Sequence, residues 1–196
     1  QTPSYTTRTI SPGNPLHGIV SCYYQFNLDE ASSILLTIPD ASVDVFILYS
    51  GLNVCAYAAG SHKNMICSTF RNCNSIFGIR FLPGKLGNLF GCSTASLSAT
   101  RYNINNFLEN NNLISMILEA STFDERILIF DSFLIDRLNN YAIPNMIDES
   151  LKLMFSTCGN ILIEDLANRV GYAPRYFRKI FTEFVGLSPK LFCQII

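Results

Sequence analysis

The chain has 196 residues, of which 48% are hydrophobic and 15% are charged, and its formal net charge is −1. This composition indicates a folded protein rather than a disordered one, and no apolar run approaches the roughly 20 residues that a membrane helix needs. The first residues lack the pattern of a secretory signal, so we expect a cytoplasmic protein without a membrane partner.

The cysteines and histidines argue against most metal and disulfide chemistry. The cysteines are scattered without a C-x-x-C pair, and the two histidines, His17 and His62, are far apart. Neither a disulfide framework nor a zinc site has the spacing that it needs. We therefore expect no metal and no cofactor, and a redox-sensing pair is an alternative that no spacing favours. Free and mostly buried thiols are expected at Cys22, Cys55, Cys67, Cys73, Cys92, Cys158 and Cys193.

Residues 1–104 have the pattern of strands. Short apolar or alternating runs are separated by turns rich in proline and glycine. This pattern predicts a β-rich domain of about 100 residues, either a sandwich or a barrel. The runs cover residues 19–26, 34–38, 43–48, 54–58 and 76–81.

The last of these runs carries a candidate ligand-binding residue. Its alternation places apolar side chains on one face of the strand and Arg80 on the other. Arg80 could bind an anionic effector inside a barrel. The simpler interpretation, which we favour, is a structural ion pair with Asp40 or Asp44, or a charge that faces solvent.

Residues 105–142 change to a helical period. Apolar residues recur about every third or fourth position in two segments, which predicts two amphipathic helices. Thr122 and Glu125 have the spacing of a capping box at the start of the second helix, and Pro144 ends the connection after it. We interpret this stretch as a helical connector.

Two short helices joined by a turn are predicted in residues 161–196, after a further helical segment that ends at Gly159. Gly171 suits the turn because glycine tolerates a positive φ, and Pro174 suits the first position of the second helix. Each helix has an apolar stripe at positions i, i+3, i+4 and i+7. The stripes consist of Ile163, Leu166, Ala167 and Val170 in the first helix and of Phe177, Ile180, Phe181 and Phe184 in the second.

The opposite face of the second helix is cationic. It carries Arg175, Arg178, Lys179 and Thr182, which we predict to contact double-stranded DNA. In the major groove, arginine pairs bidentately with guanine, while lysine and threonine reach phosphates or bases. Residues 171–196 hold four basic residues and one acidic residue, a local charge of +3, whereas the rest of the chain sums to −4. The alternative is an ordinary solvated helix face.

This region resembles the first helix-turn-helix of the AraC family of transcription regulators. The resemblance implies a sequence-specific DNA-binding regulator whose DNA-binding domain has two such units joined by a long helix. It also implies that Arg175, Arg178 and Lys179 occupy base-facing positions. The matching segments are residues 164–167 (EDLA), 171–172 (GY), 174–181 (PRYFRKIF) and 186–190 (GLSPK).

The chain departs from the family pattern in two ways. Leu162 and Ala173 stand where members often have a capping serine, which satisfies backbone N–H groups at a helix start. The family pattern also continues with a linker helix and a second unit, whereas this chain stops at Ile196 within an apolar helical face. We therefore expect the chain to be truncated within its DNA-binding domain.

Residues 38–40 and 76–84 are similar to the β-rich N-terminal domain of some AraC-type regulators. That similarity implies a jelly-roll or cupin-like barrel that binds a small-molecule effector or mediates dimerisation. The complete expectation is an α+β chain that acts as a homodimer. Its parts are an N-terminal β-barrel or jelly-roll in residues 1–104, a helical connector in 105–142 and a helix-turn-helix unit in 143–196.

Other functional classes fit the sequence less well. A cupin-type enzyme would need a metal cluster of histidines and a carboxylate, and neither a G-x-S-x-G motif nor a Cys–His arrangement is evident. We therefore expect no catalytic residues and no enzyme. Two alternatives remain open: an interaction module that regulates a partner regulator through dimerisation, and a cupin-like small-molecule sensor without tight DNA binding of its own.

Overall fold

The structure is a computed structural model that describes residues 4–28, 33–50, 53–60, 64–70, 73–87, 89–90, 94–97, 101–110 and 112–196. The architecture is α+β, as predicted, with the strands concentrated before residue 104 and most helices after it. The strands are β1 Ser4–Thr9, β2 Val20–Asn27, β3 Ser33–Thr37, β4 Val43–Ser50, β5 Asn53–Ala59, β6 Ile66–Phe70, β7 Ser75–Phe81 and β8 Tyr102–Asn103. The helices are α1 Thr94–Leu97, α2 Asn105–Glu109, α3 Leu113–Glu119, α4 Phe123–Arg137, α5 Asn145–Ser156, α6 Ile163–Arg169, α7 Pro174–Val185 and α8 Pro189–Ile195.

The main sheet is antiparallel and open. Its six strands lie in the order β1-β2-β7-β4-β5-β8, while β3 and β6 pair with each other in a separate two-stranded sheet. The predicted barrel or jelly-roll closure is therefore wrong for the described strands. The sheet stays open because helices, rather than further strands, cover one of its faces. Its edge strand β1 has every residue exposed. No described helix combines the length and the apolar character needed to cross a membrane.

One face of the sheet and α4 enclose the larger hydrophobic core. The predicted alternation in β7 is confirmed, because Phe77, Ile79 and Phe81 are all buried in this core. The ring of Phe77 lies 5.6 Å from that of Phe130 on α4, centroid to centroid. The hydroxyl of Tyr23 donates a hydrogen bond of 2.5 Å to Asp131, which fixes α4 over β2.

The helical connector contains the predicted capping box and one unpredicted break. Thr122 Oγ1 accepts from the Glu125 amide at 3.2 Å, and Glu125 Oε2 accepts from the Thr122 amide at 3.1 Å. The first predicted amphipathic segment is divided into α2 and α3, because Asn112 adopts a left-handed backbone with φ of 56°. A 3₁₀ turn at Leu138–Asn140 ends the connector.

Helices α5 to α8 enclose a second core. Its centre consists of apolar side chains that the sequence patterns had placed on inward faces, and Ala41 from the strand-rich part also joins it. The fully or nearly fully buried members include Ile147, Met154, Leu166, Ala167, Phe177, Phe181 and Phe192. This core fixes the relative positions of α6 and α7.

The segment that follows β7 joins the two cores. Lys85 Nζ lies 2.6 Å from Asp148 Oδ1 on α5, and the Tyr141 hydroxyl donates to the Lys85 carbonyl at 2.6 Å. At Gly84, a Cβ atom would approach side-chain atoms of Ile147 and Leu151 at 3.1 Å, so α5 packs directly on this turn. The C-terminal helices are therefore anchored against the end of a central strand.

The cysteines are more accessible than expected. The structure describes six cysteines, and all six are free thiols. Of these six, only Cys73 is buried, and Cys67 and Cys158 are exposed. The expectation of mostly buried thiols was therefore wrong. Cys92 and His62 lie outside the described residues. Within the described part of the chain, no three potential metal ligands cluster.

Candidate nucleic-acid interface

Helices α6 and α7 are joined by a tight turn whose geometry explains the glycine. Gly171 has φ of +81°, and nothing lies within 4 Å of a Cβ atom built there, so its role is conformational rather than steric. The Tyr172 amide donates to the Ala167 carbonyl at 3.0 Å, and the Gly171 amide donates to the Asn168 carbonyl at 3.1 Å. These two bonds form a Schellman motif, which ends α6 and redirects the chain into α7.

Helix α7 is held rigidly by its apolar face. Phe177, Phe181 and Val185 are buried in the second core, and Pro174 occupies the first turn, as predicted. The close approach of α6 is possible because Ala167 is small and fully buried. The predicted departure in capping is also present, since neither Leu162 nor Ala173 supplies a side-chain hydrogen bond to its helix.

The structure places all four sequence-predicted contact residues on the opposite face of α7. Arg175, Arg178 and Lys179 are exposed, and Thr182 is half-buried. Seven residues of helix rise by about 10 Å, which is close to the width of the DNA major groove. The spacing therefore suits a row of side chains that enters one groove.

These four side chains differ in the ion pairs and hydrogen bonds that they form within the chain. Arg175 and Lys179 form no ion pair with any residue that the structure describes. Arg178 forms an ion pair with Glu164 in the first turn of α6. The Thr182 hydroxyl donates to the Arg178 carbonyl at 2.8 Å, which leaves its oxygen lone pairs as acceptors and its proton engaged. Two of the three cations are therefore available for an external anion.

Two tyrosines beside the cationic face were not predicted from the sequence as contact residues. The rings of Tyr172 and Tyr176 stack at 5.6 Å with an interplanar angle of 25°, although the residues are 43% and 50% exposed. Large aromatic side chains that remain this exposed next to cations are typical of contact surfaces. Their hydroxyls are groups that commonly bond to DNA phosphates. Their i, i+4 spacing across the turn was the signal that could have identified them.

An open cleft of about 370 Å³ lies between α6 and the segment that connects it to α5. Asp165 and Arg169, one helical turn apart, contribute opposite charges to its lining, together with Thr157, Gly159, Asn160, Ile161 and Leu162. The lining has no aromatic ring and no net charge. It offers a nucleic acid less than the face of α7 does.

Arg80, the other residue weighed from sequence, is engaged in a structural ion pair. Its Nε and Nη2 atoms lie 3.1 and 3.0 Å from the two carboxylate oxygens of Asp44, and Nη1 lies 2.9 Å from Asp40. The favoured interpretation is thus confirmed for both carboxylates. Burial raises the pKa of Asp44 above its usual value, and the Arg80 guanidinium opposes that rise. Because every nitrogen of Arg80 already has a partner, the structure gives no support to an anionic effector at this position.

Comparisons with known proteins find a family model and a solved structure that match this chain. A family model described as a domain of unknown function (DUF6597) matches residues 8–103, slightly less than half of the chain. No curated protein matches the sequence. Among solved structures, the crystal structure of the AraC-like transcriptional activator CuxR matches 91% of this chain and 80% of its own, with 12% identity and a TM-score of 0.30. That TM-score is too low to establish a shared fold.

Proposed function

We propose that this chain is a sequence-specific DNA-binding transcription regulator of the AraC type. In this proposal, α6, the Gly171 turn and α7 are a helix-turn-helix, and α7 is the recognition helix. The observation that carries it is the cationic row of Arg175, Arg178 and Lys179 on the exposed face of α7, opposite the apolar face on which Phe177, Phe181 and Val185 are buried. A rigid helix with such a row presents its charges in one direction.

The position of the charges suits the way in which recognition helices enter DNA. The N-terminal half of such a helix meets the base edges in the major groove. Arg175 lies in the first turn of α7, and Arg178 and Lys179 lie in the second turn. Arginine at these positions reads guanine through bidentate hydrogen bonds, while Lys179 and Thr182 reach phosphates or bases.

The uneven charge of the chain supports the same orientation. The last 26 residues carry +3, whereas the first 170 sum to −4. The negative charge lies in the helical residues 105–170, which sum to −6, whereas the strand-rich residues 1–104 sum to +2. The duplex is therefore attracted to the last helices and mildly repelled by the helical segments before them. A single recognition helix neutralises few phosphates, so we expect micromolar or weaker binding at physiological salt.

The strand-rich part has a supporting role in this proposal. We assign it no catalytic function and propose that it mediates dimerisation or effector binding, with the connector helices as further contacts between two copies. Dimers suit the two-fold symmetry of many operators. Light scattering at high micromolar concentration measures this directly, and a chain that stays monomeric would contradict the dimer.

The DNA-binding proposal is tested by replacing the cationic row. A random duplex library is first enriched for sequences that the chain retains at low salt. The triple variant Arg175→Ala, Arg178→Ala, Lys179→Ala should then lose binding to the enriched duplex by at least about tenfold, because each lost base-reading arginine costs about 1–3 kcal/mol.

Lys152→Ala is the matched control, since it removes one exposed cation from α5, away from the proposed interface. It should change the affinity by less than about twofold. A folded triple variant that binds the enriched duplex as well as the unmodified chain would contradict the proposal. Failure of the library to yield any retained duplex would favour the interaction-module alternative.

A further inference from the structure

We propose that Glu164 is a specificity-determining positioning residue that restrains Arg178 from binding DNA phosphates. This inference rests on the proposed function and adds a residue that neither the family resemblance nor the charge pattern had assigned. Its basis is the ion pair between the Glu164 carboxylate on α6 and the Arg178 guanidinium on α7.

The ion pair is selective within the helix pair. Asp165, the next residue and equally acidic, forms no ion pair with any described residue. Arg175 and Lys179, which flank Arg178 on the same face of α7, form none either within the described part of the chain. The contact depends on the crossing of α6 and α7, since the two residues are 14 positions apart in sequence.

The pair is accessible, so DNA can compete for it. The side chains of Arg178 and Glu164 are 48% and 61% exposed. An ion pair at such exposure is weak, and a phosphate can replace its carboxylate. Replacement nevertheless leaves the Glu164 carboxylate uncompensated beside the duplex, where it repels the phosphates. Arg178 therefore contributes less to phosphate binding than Arg175 or Lys179 does.

Base reading is affected differently from phosphate binding. A guanidinium has five N–H donors, and the bond to Glu164 engages only one of its terminal nitrogens, Nη2. The remaining donors can still pair with the O6 and N7 atoms of guanine. Glu164 thus lowers binding to sequences without the correct base while holding Arg178 in place for the correct one. The expected consequence is a higher ratio of specific to non-specific affinity.

The test measures binding of the full 196-residue chain to a random-sequence duplex of about 30 base pairs, with salt varied from about 50 to 200 mM. Glu164→Gln keeps the side-chain shape and removes the charge. We expect it to bind the random duplex about two- to fivefold more tightly and to steepen the dependence of log affinity on log salt by about 0.9, the value for one additional phosphate contact.

Two variants separate this effect from a general loss of negative charge. Asp165→Asn removes one neighbouring negative charge without releasing Arg178, so it should bind less than about twofold more tightly and leave the salt slope unchanged. Glu164→Gln in an Arg178→Ala background should show no gain over Arg178→Ala alone. Thermal unfolding confirms that each variant is folded.

The outcomes distinguish this inference from the function on which it rests. If the unmodified chain binds and Glu164→Gln behaves like Asp165→Asn, or if the gain persists without Arg178, the restraint by Glu164 is wrong and the DNA-binding proposal stands. If neither the unmodified chain nor any variant binds DNA at the lowest salt, the proposed function itself is wrong.

Discussion

In the sheet, Arg80 reaches two carboxylates with three nitrogens, whereas on α7 Arg175 and Lys179 reach none within the described part of the chain. The helix starts differ in the same way. Helix α4 begins with a reciprocal capping box, while α6 and α7 begin at Leu162 and Ala173, whose side chains cannot accept a hydrogen bond. At these positions the sheet and its connector bond their polar groups internally, whereas the helix pair leaves its own exposed.

This difference separates structural charges from available ones. A cation whose donors are already bonded stabilises the fold and has little left for a ligand. A cation without a partner, on a helix fixed by a buried aromatic stripe, contributes little to folding and remains free to bind an external anion. Charge count alone does not distinguish the two classes, because both regions contain arginine.

The largest expected effect tests this contrast on a pair of arginines. Arg80→Ala should lower the free energy of unfolding by about 2 kcal/mol, because it leaves Asp44 without its partner. The loss is below that for a fully buried pair, since the Arg80 side chain is 35% exposed. Arg175→Ala should change the same free energy by no more than about 0.5 kcal/mol.

Urea denaturation of both variants, at unchanged dependence on denaturant, measures these values. Equal losses in the two would mean that Arg175 has a structural role that its exposure conceals, and the contrast between the regions would fail. A loss at Arg80 as small as that expected for Arg175 would show that the ion pair with Asp44 adds nothing to stability.

Much of the local structure could be predicted from the sequence. Period-two runs located β2, β3, β4, β5 and β7, and stripes of period 3.6 located α4 to α7 with their inward faces. The pairing of Arg80 with Asp40 and Asp44 was also foreseen as the favoured alternative. The strands and helices depend on neighbouring residues or on strand alternation, both of which a sequence displays. The ion pairs of Arg80 join residues 36 and 40 positions apart, and the sequence offered Asp40 and Asp44 only as alternatives.

The features that were missed depend on tertiary arrangement. The barrel was expected because strands were numerous, but whether a sheet closes depends on what covers its face, and here α4 does. The Glu164–Arg178 pair arises from the crossing of α6 and α7 at the Gly171 turn. The Tyr172–Tyr176 stack is local, and only its i, i+4 spacing was visible in the sequence. The sequence predicted both helices, but it did not show which side chains come into contact where the helices cross.

A second, smaller effect concerns the uncapped start of α7. Ala173→Ser places a hydroxyl where the amides of the first turn lack an acceptor, so it should raise the free energy of unfolding by about 1 kcal/mol. For a chain of this length, the midpoint of thermal unfolding should rise by about 2–4 °C. Ala142→Ser, at an exposed position before α5 that is not a helix start, is the control and should leave the midpoint unchanged. No rise at Ala173 would show that the start of α7 already has another acceptor.

The smallest expected effect concerns the capping box at the start of α4 and is a change of stability with pH. The amides of Thr122 and Ser121 donate to the Glu125 carboxylate, and these bonds hold the pKa of Glu125 below its usual value. A carboxylate whose pKa is lower in the folded state binds protons less readily there than in the unfolded state. Its stabilising contribution is therefore present above the unfolded pKa of about 4.3 and is lost as the pH falls through the lower folded value. Glu125→Gln retains an acceptor but cannot be charged, so the unmodified chain should be the more stable of the two at pH about 7. The difference should shrink as the pH falls below about 4 and through the lower folded pKa. Comparing the two chains at each pH cancels the other carboxylates, which titrate in both. Glu149→Gln on α5, where the side chain is exposed and accepts no hydrogen bond within the described residues, is the control variant. A difference at Glu125 that stays constant from pH about 7 to 3 would mean that shape, rather than charge, is what the capping box requires.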